Sequence, residues 1–172
     1  MPNLSPSHLD SNGRAQMVDI GKKMETRRQA VSVGEIRISR RAIRLIRQNK
    51  IPKGNVLAAA RIAGILAAKK TGDWIPLCHP LSLDSAEIRF RLEEEKILIR
   101  SNVRTQSRTG AEMEALTSVS AAALTLYDMC KAVDKAMVIG PIALIQKSGG
   151  RSGSYLNETV PAEYLDENYF NE

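Results

Sequence analysis

Residues 86–103 read AEIRFRLEEEKILIRSNV, and residues 110–134 read GAEMEALTSVSAAALTLYDMCKAVD. In the first stretch Ala86, Ile88, Phe90 and Leu92 alternate with polar residues, and Ile97, Ile99 and onward to Val103 keep the same spacing of two. The acidic run Glu93–Glu95 separates the two halves, so the pattern predicts a hairpin. In the second stretch Met113, Leu116, Ser120, Ala123, Tyr127 and Cys130 recur at spacings of three and four, which predicts one long amphipathic helix.

Working outward, VSVGEIRI (31–38) alternates as a strand, and Ser39 stands where an N-cap belongs before RRAIRLIRQN, a short helix. Pro52 and Gly54 punctuate the chain, and NVLAAARIAGILAAKKT (55–71) then sets Val56, Ala60, Ala63 and Ala67 at helical spacing, ending near Gly72. AMVIGPIALIQK (136–147) is β-branched and apolar, and Pro141 inside it predicts a strand with an edge or bulge at that point. Strand, one or two helices, strand, strand, helix, strand is the split βαβ order of ferredoxin-like folds, so the expectation is an α+β sandwich with an antiparallel sheet packed on helices. Residues 17–157 read as the single domain, 1–16 as a flexible polar segment, and 158–172, with five acids and no base, as a flexible acidic tail.

The chain has 172 residues, 43% hydrophobic and 26% charged, which excludes whole-chain disorder. One Trp, four Tyr and two Phe against 19 Ala point to an interior of aliphatic side chains and closely approaching helices. The net charge of +6 is uneven: residues 20–53 carry 11 bases against Glu25 and Glu35. That excess fits an anionic partner, nucleic acid or phosphorylated metabolite. No run is long and apolar enough for a membrane span or a signal peptide, so the expectation is a cytoplasmic protein without a membrane partner. Cys78 and Cys130 belong to no CxxC or zinc pattern and read as reduced thiols; the residues call for no metal and no cofactor.

Four signals carry chemistry. Ile75-Pro76-Leu77-Cys78-His79-Pro80 presents a thiol and an imidazole between two prolines, either as a site loop or as a rigid connector. Asp128 and Lys131 share a face of the long helix, as a surface ion pair or as two groups working on one ligand. Lys147 to Gly153, KSGGRSG, has the amides and cations that surround phosphate without the spacing of a Walker loop. Glu112 and Glu114 open the long helix, where carboxylates also offset its dipole. Glu114 and Asp128 are separated by roughly 21 Å along the axis. If both ends function, they serve separate sites or two subunits each lend one end to a shared site. The small face Ser118, Ala121, Ala122, Thr125 offers a candidate oligomer contact.

Together these residues resemble the molybdenum cofactor biosynthesis protein C family, the cyclic pyranopterin monophosphate synthases, from Met17 to about Gly153. The resemblance rests on Met17-Val18-Asp19-Ile20 with Lys23, Thr26 and Arg28; on Lys53-Gly54 with Ala60 to Ile65 and Ala67 to Thr71; on Ile75 to Leu81; on Arg108-Thr109-Gly110 with Glu112 to Thr117; and on Tyr127 to Asp134. Ser107 stands where the family usually has Gly, Ala111 where it has Val, and Arg151 where it often has Lys.

The resemblance implies a hexamer, a trimer of dimers, with active sites at the dimer interface. It implies conversion of 3′,8-cyclo-7,8-dihydro-GTP to cyclic pyranopterin monophosphate with loss of pyrophosphate. It makes Asp128 and Lys131 active-site residues and Leu77, Cys78, His79, Met113 and Glu114 substrate contacts, with Lys53, Arg28, Lys69 and Glu112 lining the same pocket. Proton transfers and a departing pyrophosphate suit lysines. Lys53 and Lys131 are therefore expected to move protons and Asp128 to orient Lys131. Arg28, Lys69 and Lys147 are expected to hold phosphate, and His79, Glu112 and Glu114 the guanine-derived end. The sign of the lysine pKa shifts is open at this point. The alternative is a ferredoxin-like RNA-binding module, disfavoured because only Phe90 among the aromatics lies in an expected strand. A purely structural subunit gives these clustered motifs no role.

Overall fold

A computed structural model of the chain describes residues 8–10, 12–150 and 153–170. Residues 1–7 and 11 of the expected N-terminal segment, Arg151 and Ser152 of the glycine-rich segment, and the last two residues lie outside the described ones.

The strands are β1 (Thr26–Arg37), β2 (Ser85–Leu92), β3 (Lys96–Ser107), β4 (Val138–Ser148) and the two-residue β5 (Tyr155–Leu156). They form one antiparallel sheet in the order β2-β3-β1-β4-β5, whose first four members have the ferredoxin-like arrangement. The helices are α1 (Arg40–Arg47), α2 (Val56–Lys69), α3 (Thr71–Trp74), α4 (Glu112–Cys130) and α5 (Ala162–Leu165). Ser39 caps α1 through the N–H of Ala42, and Asn55 caps α2 through the N–H of Ala58. At Pro141 the register between β4 and β1 shifts, because proline has no N–H to give the ladder. No helix among the described residues is long and apolar enough to cross a membrane.

Helices α2 and α4 lie together over one face of the sheet, burying Ile36, Phe90, Ile97, Ile99, Val119 and Leu126. They approach closely because Gly64 has no side chain: a Cβ there would stand 3.0 Å from the Ser118 carbonyl and 3.2 Å from Ile88. The Ser118 hydroxyl donates to the Gly64 carbonyl at 2.9 Å, and the Thr71 and Thr117 hydroxyls meet at 2.7 Å. The small face of α4 is thus largely used inside the chain: Ser118 and Ala122 are fully buried, and Ala121 nearly so. The large apolar side chains left exposed on these helices are Ile62 and Leu66 of α2 and Leu124 of α4.

The opposite face of the sheet differs from expectation. Strand β1 begins at Thr26, before the alternating stretch, and is apolar on both sides: Ala30 and Ile36 face the helices, while Val31 and Val33 join Leu98 and Ile145 on the outer face. The segment expected to be a loose acidic tail covers that outer face with Tyr164 and Phe170, 7% and 1% exposed. Burying each ring contributes roughly 1.5–3 kcal/mol. One of the acids that made the segment look solvated, Glu167, meets a cation of the sheet in a 3.1 Å pair with Arg89.

Candidate functional site

The family-type residues gather at the two ends of α4. At its start, the loop after α3 turns back through a hydrogen bond from the Cys78 N–H to the Ile75 carbonyl, 3.0 Å, and brings Leu77, Cys78 and His79 against Glu112, Met113 and Glu114. These six line a cavity of about 340 Å³, closed on another side by His8, Val18, Ile20 and Lys23 of the N-terminal segment. A second cavity of about 640 Å³ shares Lys23, Thr109, Gly110 and Glu112 with the first and adds Lys22, Arg28, Arg108 and Gly150. Both volumes fall in the range of small-molecule sites. One end of the combined space is therefore apolar with carboxylates, and the other is lined by cations.

Backbone geometry sets the basic end. Arg28 leaves β1 and donates to the Gly149 and Arg108 carbonyls at 3.5 and 3.4 Å. Lys147, near the end of β4, pairs with Glu112 at 2.9 Å. Gly149 and Gly150 have φ of +95° and +74°, and Cβ atoms there would strike the Arg27 carbonyl and the Arg28 guanidinium, so only glycine lets the loop fold this close.

Glu114 is 3% exposed, and burial pushes its carboxyl from the ordinary 4.5 up to about 7, with Glu112 adding to the shift. Burial, and then the nearby Glu114, raises the Cys78 thiol as well, so this thiol is not an activated nucleophile. An acid whose folded pKa lies above its unfolded one binds more protons folded than unfolded between the two values. Stability from Glu114 therefore falls as pH rises from about 4.5 to about 7 and then levels off. Glu114→Gln removes that fall. In urea unfolding at one protein concentration, the variant should lose about 2–3 kcal/mol less than the parent between about pH 5 and about pH 8. Equal losses would refute the assignment.

At the other end of α4, Asp128 is held between two ammonium groups. Its carboxylate accepts from Lys131 at 2.8 Å and from Lys53 at 2.6 Å, and Lys53 also donates to the Asp128 carbonyl at 2.9 Å. These charge-assisted bonds hold the Asp128 carboxyl down at about 2, Lys131 contributing first and Lys53 second. Asp128 in return raises Lys131, a direction that favours the ammonium form of this lysine. The three side chains are 41% (Lys53), 55% (Asp128) and 53% (Lys131) exposed, and none lines either cavity.

The expected site residues thus fall into two groups, Leu77, Cys78, His79, Glu112, Met113, Glu114, Arg28 and Lys147 at one end of α4, and Lys53, Asp128 and Lys131 at the other. Lys69 is exposed in the last turn of α2 and makes no ion pair among the described residues. His8 and Lys22 were not among the expected site residues, and Lys23 entered only as part of a motif. Lys22 and Lys23 lay within the basic segment, but His8 sits in a polar stretch with no periodicity to flag it.

A family model described as the MoaC family matches residues 17–150. The chain is 53% identical to the cyclic pyranopterin monophosphate synthase of Heliobacterium modesticaldum over 154 residues, covering 88% of this chain and 97% of that protein. It is 53% identical over 154 residues to the protein of that name from Roseiflexus sp., covering 88% and 98%. It is also 53% identical over 149 residues to the one from Novosphingobium aromaticivorans, covering 87% and 95%.

Proposed function

The chain belongs to the MoaC family and is an enzyme of molybdenum cofactor biosynthesis with cyclic pyranopterin monophosphate synthase function; from that premise we propose how its two half-sites work. The substrate is 3′,8-cyclo-7,8-dihydro-GTP, converted to cyclic pyranopterin monophosphate with release of pyrophosphate. The observation that supports this most is the pair of adjoining cavities at the start of α4, with carboxylates and a neutral-leaning Glu114 in one and Lys22, Lys23, Arg28 and Arg108 lining the other. That polarity suits a molecule with a guanine-derived ring at one end and a triphosphate at the other. In this reading Arg28, Lys147 and Lys69 bind phosphate oxygens, and His79, Glu112 and Glu114 hold the ring end, flanked by Leu77, Cys78 and Met113.

Opening the purine ring and rebuilding a pterin needs proton transfers; Lys22 and Lys23, which line the cavities on one chain, belong to the phosphate end in this reading, which leaves the transfers to another group. Lys53, Asp128 and Lys131 form that group, but on the same chain they stand about 21 Å further along α4. We take the active site to be completed by the Lys53–Asp128–Lys131 group of a second copy, within a trimer of dimers. The large exposure of that ion-paired group and the uncovered Ile62, Leu66 and Leu124 support this. Lys131, held protonated by Asp128, acts first as an acid. The enzyme works in the cytoplasm, where the unbridged Cys78 and Cys130 stay reduced. An RNA-binding role finds no support on the sheet, since Phe90 is buried beneath Arg61 and the outer face of the central strands is covered. Incubation with the cyclised dihydro-GTP, following pyrophosphate and pterin together, tests the reading. Absence of both products would overturn it.

A further inference from the structure

The family match ends at residue 150, yet residues 155–170 make a connected series of contacts that leads back to the basic end of the cavity. Strand β5 pairs with β4 through only two residues, Leu156 opposite Gln146 and Tyr155 opposite Lys147. A pairing that short does not hold itself in water. Asn157 fixes its far end: the backbone N–H donates to the Ile145 carbonyl at 2.8 Å and the side-chain amide to the Leu144 carbonyl at 3.2 Å, while its Oδ1 accepts from Thr159. The chain then crosses onto the outer sheet face. There Phe170 and Tyr164 are buried, the Tyr164 hydroxyl reaches Glu35 at 3.0 Å, and the Tyr169 hydroxyl reaches Glu93 at 2.8 Å. The Arg91 guanidinium lies 4.1 Å from the centre of the Tyr169 ring.

What this anchors is the part of β4 that carries Lys147, together with the Gly149–Gly150 turn that follows it. Tyr155 pairs directly with Lys147, so holding β5 in place lowers the entropic cost of keeping this end of β4 in one shape. We propose that the docked C-terminal segment is a strap for the phosphate end of the active site: Asn157, Tyr164 and Phe170 are positioning residues that keep Lys147 and the Gly149–Gly150 turn where a triphosphate needs them. The inference rests on the reading of Lys147 as a phosphate ligand, and it adds to the reaction residues that never touch substrate.

The experiment compares Asn157→Ala and the double variant Tyr164→Ala/Phe170→Ala with Lys147→Ala, using KM and kcat for the cyclised dihydro-GTP and the affinity for inorganic pyrophosphate by calorimetry. Leu126→Ala, buried between α4 and the sheet, serves as a variant destabilised elsewhere. Both strap variants should raise KM about tenfold with kcat within about twofold and weaken pyrophosphate by a like factor, while Leu126→Ala moves neither. Tyr164→Phe, which keeps the packing, should stay close to the parent. If the double variant does not fold, Asn157→Ala, which leaves the aromatic packing intact, carries the test alone. Unchanged KM and pyrophosphate affinity in the strap variants, with Lys147→Ala impaired, overturn the strap. If Lys147→Ala is also unimpaired, the phosphate reading of that lysine falls first and takes the strap with it. An equal KM change in Leu126→Ala would reduce the effect to general loosening and also overturn it.

Discussion

Asp128→Asn is expected to lower turnover by about 10²–10⁴-fold, the range spanned by removing a positioned proton-transfer group, with KM altered much less. The amide keeps the shape but loses the charge that accepts from both Lys131 and Lys53 at 2.8 and 2.6 Å. Lys131 then loses the main cause of its raised pKa, and the two ammonium groups repel instead of sharing one carboxylate. Folding should be nearly untouched, because pairs this exposed contribute little. Single-turnover pyrophosphate release, with thermal unfolding alongside, checks it. A variant that turns over within about threefold of the parent would remove Asp128 from the chemistry.

The second large effect is a recovery. A subunit carrying Asp128→Asn and one carrying Arg28→Ala/Lys147→Ala are each damaged at a different end of α4. If each active site takes one end from each of two subunits, a mixed dimer holds one doubly damaged site and one intact site. Random exchange between equal amounts makes half the dimers mixed, so the mixture should regain about a quarter of the parent activity from two nearly inactive preparations. Co-purification through two different tags confirms that exchange has occurred. Exchange without recovery would mean that both half-sites belong to one chain, against the 21 Å spacing that α-helical rise gives.

The fold was legible because its periods are clean. Ala86 to Leu92 and Ile97 to Val103 do pair as β2 and β3, Ser39 does cap α1, and Pro141 does mark a register shift. What escaped was information that a one-dimensional pattern does not carry. In β1 both faces are buried, so Val31 and Val33 satisfied an alternation rule while pointing away from the helices that bury Ile36. The 158–170 stretch looked solvated because it holds four acids, no base and few aliphatic side chains. Tyr164 and Phe170, spaced by six with a 3₁₀ turn between them, do not fit helical periodicity, and no alternation between them signals a strand. Among the expected site residues, helix rise alone separated Glu112 and Glu114 from Asp128 and Lys131. The meeting of Lys53 with Asp128, 75 positions apart, needed the packing of α2 against α4.

Helix α4 joins Glu114 to Asp128 without a break. Each residue of an α-helix adds about 100° of rotation and 1.5 Å of rise. Substitutions between these two positions alter packing locally, but adding or removing a single residue there would swing Asp128 about 100° away from its present bearing relative to Glu114. With the sites shared between two subunits as proposed, two neighbouring active sites would lose their alignment at once. On that reading, the spacing along this helix constrains its length more tightly than its composition.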